Sequence, residues 1–537
     1  MGKLCNLRHL GLKDTEKLQF VAEGLGKLTN LWTLHRFMVC DDKGKTRGCN
    51  INELKELNKL KGELLIEGLR GGRVKVIDAR NVHLKERHEL IGVELDFKVG
   101  DNDTVDSASE ERGLLEALVP PHCIERLGIC GYKGDGPAWY LATNYVELRM
   151  VRLESCPSWA TVIGIKSLEE LKVKYCPTLY ELPRMPLLKS LKIWECDGLH
   201  TIGDLPALES LDVNRCKKRK TLANMPSLKS LNIRKCDGLN TIGDWSALKW
   251  LTVDECERLK TLANMPALEL LEVKGCGRVE QVADDHMPAL KGLWSSDLNI
   301  LKQLPTHLPS LEELHVKHLP NWESTFTSMP CLRRAFFNNC PKMQTEGLIY
   351  ALSERVGHEG QATQLQRLSV LKCKCARLGW KLLEQLPNLI ELHLDPESAV
   401  LLSSQVSTFL PSLKYLYLGD NNVDEEVKWG RLPQWVWSLS QLELLHLVGF
   451  TEDISLGGHW QCLPKLRWLR IYDFPNLKSV VDVNNMTPQQ NETTCPTDAK
   501  QQIACFSKLE HLATSGCPAV HLPQELRDHL GGRLNDR

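Results

Sequence analysis

Leu168-Glu169-Glu170-Leu171-Lys172-Val173-Lys174-Tyr175-Cys176 returns as Leu188-Lys189-Ser190-Leu191-Lys192-Ile193-Trp194-Glu195-Cys196. The pattern Leu-x-x-Leu-x-Val/Ile-x-x-Cys then recurs four more times, at a fixed spacing of 20 residues, through Leu268–Cys276. Within each copy the alternation of apolar and variable residues has the period of a strand, whose successive side chains point to opposite faces. One copy is too short to bury its apolar side, so consecutive copies must stack and share a continuous core. Pro follows Met or Leu before the next copy, as at Pro186, Pro206, Pro226 and Pro266, and favours an extended or turn conformation. The spacing therefore predicts a solenoid with strands on one side and turns or 3₁₀ pieces, not long helices, on the other.

The pattern resembles the leucine-rich repeat. That resemblance implies an α/β leucine-rich-repeat solenoid: a curved horseshoe with a parallel β-sheet on its concave face and turns, 3₁₀ and short helices on its convex face. Working outward, looser copies precede the regular block at Leu7/Leu10/Leu12, Leu28/Leu31/Leu34, Ile124/Leu127/Ile129 and Leu148/Val151/Leu153/Cys156. The stretches Leu64/Ile66/Leu69 and Leu90/Val93/Leu95 continue the ladder between them. Later anchors run from Leu311/Leu314/Val316 through Leu332/Ala335/Phe337/Cys340 and Leu413/Leu416/Leu418 to Leu509/Leu512/Thr514/Cys517. The expected organisation is irregular repeats over 1–160, the regular block over 161–280 and longer repeats over 281–480. A disordered polar insertion over 481–505 and a terminal repeat with a C-terminal cap over 506–537 complete it. Asp101–Glu111 reads as an acidic surface loop, and Glu346–Arg355 as a helix on the back of a longer repeat. Asp197–Cys236 and Asp237–Cys276 share Thr-Ile-Gly-Asp and Thr-Leu-Ala-Asn-Met-Pro, which marks a tandem duplication.

A chain of 537 residues is too long for one ordinary core, and a solenoid avoids that limit because each repeat touches its neighbours alone. The net charge of −1 gives no reason to expect generic binding to nucleic acid or to an anionic membrane. Of the 20 cysteines, ten close a repeat: Cys156, Cys176, Cys196, Cys216, Cys236, Cys256, Cys276, Cys340, Cys373 and Cys517. Their spacing follows the repeat and not a metal-binding pair, so they read as small buried apolar side chains in the turn that leaves each strand. A column of thiols suits a reducing compartment, and no leader or membrane-spanning run is seen, so a cytoplasmic location is expected.

Catalytic and cofactor signatures are incomplete. Gly44-Lys45-Thr46 would need a glycine at position 39 to form a phosphate-binding loop, and Val39 stands there. Gly131-Tyr132-Lys133-Gly134-Asp135-Gly136 lacks a dinucleotide fingerprint and reads as a loop. His88-Glu89 and His358-Glu359 each miss the second histidine of a zinc helix. Outward histidines such as His315, His393 and His446 read as solvated surface, and Lys217–Lys220 as an exposed basic turn. No enzyme, metal site or cofactor is expected from these residues.

Flanking segments narrow the reading. Gly2-Lys-Leu-Cys-Asn-Leu-Arg-His-Leu10, Gly24-Leu-Gly-Lys-Leu-Thr-Asn-Leu-Trp-Thr-Leu34 and Ile51-Asn-Glu-Leu-Lys-Glu-Leu-Asn-Lys-Leu-Lys-Gly62 follow one another in order. Leu114-Leu-Glu-Ala-Leu-Val-Pro-Pro-His122, Gly131–Gly134 and Pro137-Ala-Trp139 come next. Together they resemble the repeats of plant coiled-coil nucleotide-binding leucine-rich-repeat resistance proteins. In that family the repeats sense a pathogen effector or a guarded host protein and restrain a nucleotide-binding switch. The resemblance thus implies plant immunity, with protein partners that include the nucleotide-binding and coiled-coil modules of the same receptor. The switch itself is not in this sequence, so ADP or ATP is expected only where an upstream module supplies its site. The alternative is a stand-alone adaptor or decoy, such as a ubiquitin-ligase substrate adaptor. Candidate partner-binding residues are outward side chains beside the strand leucines: Trp194, Arg234, Trp250, Phe336, Tyr415, Tyr417, Trp468, Arg470 and Tyr472. Trp, Tyr and Arg bury much area at modest entropic cost, and they dominate interface hot spots.

Overall fold

The computed structural model describes residues 3–40 (without 13, 14, 16 and 19), 48–70, 74–98, 108–136, 145–217 (without 163), 222, 225–262 (without 244) and 265–282. It further describes 287–323, 328–343, 348, 363–373, 386–396, 410–419, 429–481 (without 454 and 458) and 506–536 (without 523). Two compact units are formed, Met1–Leu259 and Lys260–Arg537.

The N-terminal unit carries a parallel ladder of β1 (Arg36–Met38), β2 (Gly62–Glu67), β3 (Leu90–Asp96), β4 (Arg126–Cys130) and β5 (Met150–Glu154). It continues through β6 (Glu170–Lys174), β7 (Ser190–Trp194), β8 (Ser210–Asn214), β9 (Ser230–Arg234) and β10 (Trp250–Asp254). From β6 onward each residue pairs with the one 20 positions ahead, so Leu171, Leu191, Leu211, Leu231 and Leu251 share one register line. Val173, Ile193, Val213, Ile233 and Val253 share another, and all ten are at most 1% exposed. Each such side chain contributes about 2 kcal/mol of burial, which is why the register cannot slip by one residue.

The lines continue past each strand into the turn that the cysteines close. The residue after the strand adopts a left-handed conformation although it is seldom glycine: Ser155, Tyr175, Glu195, Arg215, Lys235 and Glu255 have φ between 50° and 55°. Its N–H donates to the last carbonyl of the next rung, as in Tyr175 to Trp194 at 2.9 Å and Lys235 to Asp254 at 2.9 Å. The following thiol then donates back to the carbonyl two residues earlier, from 3.2 Å at Cys236 to 3.6 Å at Cys256. Nine of the ten repeat-closing cysteines are buried, as the repeat spacing led us to expect, whereas Cys517 in the last repeat is half-buried.

The C-terminal unit repeats the plan with longer connections. Its strands are β11 (Leu270–Lys274), β12 (Gly292–Ser296), β13 (Glu313–Lys317), β14 (Arg334–Asn338), β15 (Arg367–Leu371) and β16 (Glu391–Leu394). They are followed by β17 (Tyr415–Leu418), β18 (Leu444–Val448), β19 (Trp468–Tyr472), β20 (His511–Ser515) and β21 (Leu534–Asp536). All pair parallel with their neighbours in order. Here the back is filled by rings: Trp429 stacks on Phe450 at 5.1 Å, and Trp437 meets Trp460 edge-on at 5.0 Å.

Each unit is thus a leucine-rich-repeat solenoid with short back elements, including the 3₁₀ turn Ile51–Glu56 and the five-residue helix Val76–Arg80. One expectation fails. Asp101–Glu111 is not all surface loop, because Ala108–Ala117 is helical and Glu111 is buried. Glu111 is drawn inward by Arg70, at 2.9 Å, and accepts from the Lys133 N–H at 2.8 Å. Residues 101–107, Gly44–Thr46, Lys218–Lys220 and 482–505 lie outside the described residues, as does the Glu346–Arg355 stretch apart from Leu348.

Candidate functional site

Strand alternation sends one set of side chains to the core and leaves the other on the solvent face of the sheet. In the N-terminal unit, the central outward line reads Glu94, Gly128, Arg152, Lys172, Lys192, Asp212, Asn232 and Thr252 along β3–β10. Glycines let charges pair across a whole intervening strand. Arg126 on β4 bonds Glu63 on β2 over Gly92, and Arg152 on β5 reaches Glu94 on β3 at 3.3 Å over Gly128. A Cβ at Gly128 would lie 2.7 Å from Glu94 Cγ, so that bridge needs glycine. Glu154 collects Lys98 at 2.9 Å and Arg152 at 2.5 Å. Burial alone would favour its neutral form, but these hydrogen bonds outweigh it and hold the carboxyl at about 2. Around this lattice lies an open groove of about 770 Å³ that runs from Leu12 to Trp194.

The solvent face of the C-terminal unit is built from rings. Its central outward line reads Glu272, Trp294, His315, Phe336, Ser369, His393, Tyr417, His446, Arg470 and Ala513. His315 stacks on Phe336 at 4.3 Å, and His393 on Tyr417 at 4.0 Å. His446 lies 5.4 Å from Tyr417 and 5.2 Å from Tyr472, between ring centroids. Ser369 interrupts the rings and borders a hollow of about 360 Å³ floored by Trp294, His315 and Phe336.

The histidines correct the sequence reading. His446 is 5% exposed, not solvated, because the rings of adjacent rungs cover it. Burial, followed by the nearby charges of Arg470 and His393, lowers its pKa to about 4. His315 is half-buried and its pKa is lowered first by burial, while His393 bonds Glu391 at 2.8 Å.

The predicted partner-binding residues all lie on the solvent faces but do not form one cluster. Trp194 and Arg234 share a register line with Asn214 between them, and Trp250 stands at the other end of its strand. Trp194 and Trp250 are 38% and 45% exposed, a large apolar area to leave in water. Tyr415 and Tyr417 on β17 face Trp468, Arg470 and Tyr472 on β19 across the outward residues of β18, Leu444, His446 and Val448. Arg467 covers the Trp468 ring at 4.8 Å. Phe336 stands three rungs earlier, in the other ring group. The sequence reading missed the spacer roles of Gly92 and Gly128. They become visible when outward positions are read across rungs instead of along the chain. Among the described residues no cluster of three or more His, Cys, Asp or Glu could hold a metal ion, and no helix is long and apolar enough to cross a membrane.

Comparisons with known proteins add the following. Similar solved structures include a leucine-rich-repeat protein of Leptospira interrogans, at 15% identity and a TM-score of 0.31, covering 100% of this chain and 97% of that one. The TLR13–ssRNA13 complex is 13% identical with a TM-score of 0.39, over 95% of this chain and 61% of that one. The plant peptide hormone receptor RGFR1, in complex with RGF2, is 12% identical with a TM-score of 0.30, over 95% and 89%. At such scores none of these three supports a conclusion about function. No curated protein matches the chain. Within the N-terminal unit, residues 51–176 match the family model described as R13L1/DRL21 LRRs.

Proposed function

We propose that this chain is a protein-recognition scaffold of plant immunity, which senses a pathogen effector or a guarded host protein from the cytoplasm. One observation carries the recognition reading. Inward positions keep the same apolar chemistry rung after rung, whereas outward positions change among Lys, Trp, Asp and His. A sheet that is uniform inside and varied outside is suited to reading another surface. The plant context is supported by the R13L1/DRL21 match and by the ordered segments of the first 159 residues. In this reading the repeats also restrain a nucleotide-binding switch, which binds ADP or ATP outside these residues.

Partner contact is assigned chiefly to the ring cluster of β17–β19, where large, partly exposed aromatics stand beside Arg470. The test is affinity capture from a plant extract, followed by repetition with Tyr415, Tyr417, Trp468 and Tyr472 all changed to Ala. The captured protein should bind the variant at least about 30-fold more weakly, since hot-spot losses exceed 2 kcal/mol. Unchanged affinity, in a variant with wild-type circular dichroism, would remove the assignment.

A further inference from the structure

The ring cluster leaves the N-terminal face unexplained, and its charges are unevenly used. Six Lys or Arg side chains and four Glu line the groove. Each glutamate is already engaged: Glu63 with Arg126, Glu67 with Arg36, Glu94 with Arg152, and Glu154 with Lys98 and Arg152. Lys174 adds a longer contact to Glu154, at 4.0 Å, so the lining cations without a groove glutamate are Lys172 and Lys192. Arg152, Lys172 and Lys192 occupy one register line on adjacent strands, about 4.8 Å apart, where like charges repel. Lys172 leans on Glu170 within its own strand, at 2.9 Å. Lys192 faces Asp212 on the next rung. Lys174 lies over the rings of Tyr175 and Trp194, at 4.8 and 5.2 Å, so an exposed aromatic pair flanks the cationic line.

We propose that this groove binds an extended, acidic segment of a partner protein, with its carboxylates along Arg152, Lys172 and Lys192 and an apolar side chain against Trp194. The assignment rests on the recognition reading above and specifies a second contact for it. Peptide suits the groove better than nucleic acid. A peptide can carry acids only where the cations stand and neutral residues over the glutamates; alternate side chains on one face of an extended segment lie about 7 Å apart, so two acids span the roughly 10 Å from Arg152 to Lys192. A phosphate backbone is charged at every step and would meet the four glutamates as well.

The test uses the full chain and fluorescence anisotropy with a labelled peptide of alternating Glu and Gly, about twelve residues long. An alternating Gln and Gly peptide and an oligothymidylate of equal length serve as controls. The acidic peptide should bind, weaken with added salt, and lose at least about tenfold in affinity when Lys172→Glu and Lys192→Glu are combined. An alternating Lys and Gly peptide should gain affinity for that variant. If the double variant does not fold, Lys172→Gln with Lys192→Gln is read instead. Equal binding of the Gln and Glu peptides, no binding, or indifference to both double variants would overturn the proposal. So would an oligothymidylate that binds as tightly and loses affinity with the same variants. The ring-cluster variant of β17–β19 should keep the acidic peptide. A captured partner that depends on the rings, with no peptide binding, would sink this inference and leave the recognition reading standing.

Discussion

His446 shows how a single residue takes its chemistry from the rungs on either side. In sequence it is an outward histidine, and the repeat predicts exposure. The neighbouring Tyr417 and Tyr472 rings bury it, and its pKa falls to about 4. A histidine held below its unfolded value of about 6.5 makes the unfolded chain the better proton binder between the two values, so stability drops as pH falls through that window. Between pH 7 and pH 5 this amounts to about 2 kcal/mol. His446→Phe, which keeps a ring in the stack, should lose that much less than wild type when urea unfolding is compared at the two pH values. The left-handed turn residues carry a second lesson. Nothing in Ser155, Tyr175 or Lys235 announces a positive φ; the hydrogen bond to the next rung imposes it. Ser155→Gly should remove local strain and stabilise by up to about 1 kcal/mol. Gly131→Ala should have the opposite sign, costing about 2 kcal/mol or more, because its Cβ would lie 2.6 Å from the Lys98 nitrogen. Urea midpoints of the two variants give both signs. Leucines and cysteines, by contrast, were legible because burial accepts few alternatives at those positions.

Elements were legible wherever they repeat. Strands β6–β10 follow from the 20-residue period alone, since one register satisfies every apolar line. The helix Ala108–Ala117 was not, because Ser109, Glu110, Glu111 and Arg112 look like a solvated loop. Its buried apolar side chains, Leu114, Leu115 and Leu118, come only in its second half and just beyond. The back of the N-terminal unit is joined by two charged side chains that no period could reveal. Glu53 accepts from the Gly24 and Gly26 N–H groups, at 3.0 and 2.8 Å, and ties the turn Leu25–Lys27 to Ile51–Glu56. Arg87 is 6% exposed and donates to the carbonyls of Leu54, Leu57 and Val82. Such a guanidinium closes the end of a 3₁₀ turn that has too few donors of its own. Arg87→Met keeps the length but removes the donors to the Leu57 and Val82 carbonyls and one of two to Leu54, and should cost about 2–4 kcal/mol in thermal unfolding. Amide exchange should accelerate first around Leu54–Leu57.

On the scale of the molecule, the inner lines of both units are one chemistry and the outer lines are two. The N-terminal face is a lattice of ion pairs crossed by a line of cations, and the C-terminal face is a column of rings. The aromatic candidates stand out one by one, while Lys172 and Lys174, outward positions in the sequence too, look like any surface lysine until the register is known. The meaning of the cation line depends on three strands placing it at one level. The fixed register of β6–β10 also bears on heredity. Since each of those rungs is an interchangeable unit, a crossover between the near-copies Asp197–Cys236 and Asp237–Cys276 would add or delete two whole rungs. Reading frame and apolar lines would both survive it. A lineage carrying such a chain can lengthen, shorten or reshuffle its variable surface by unequal recombination, without first passing through a misfolded ancestor.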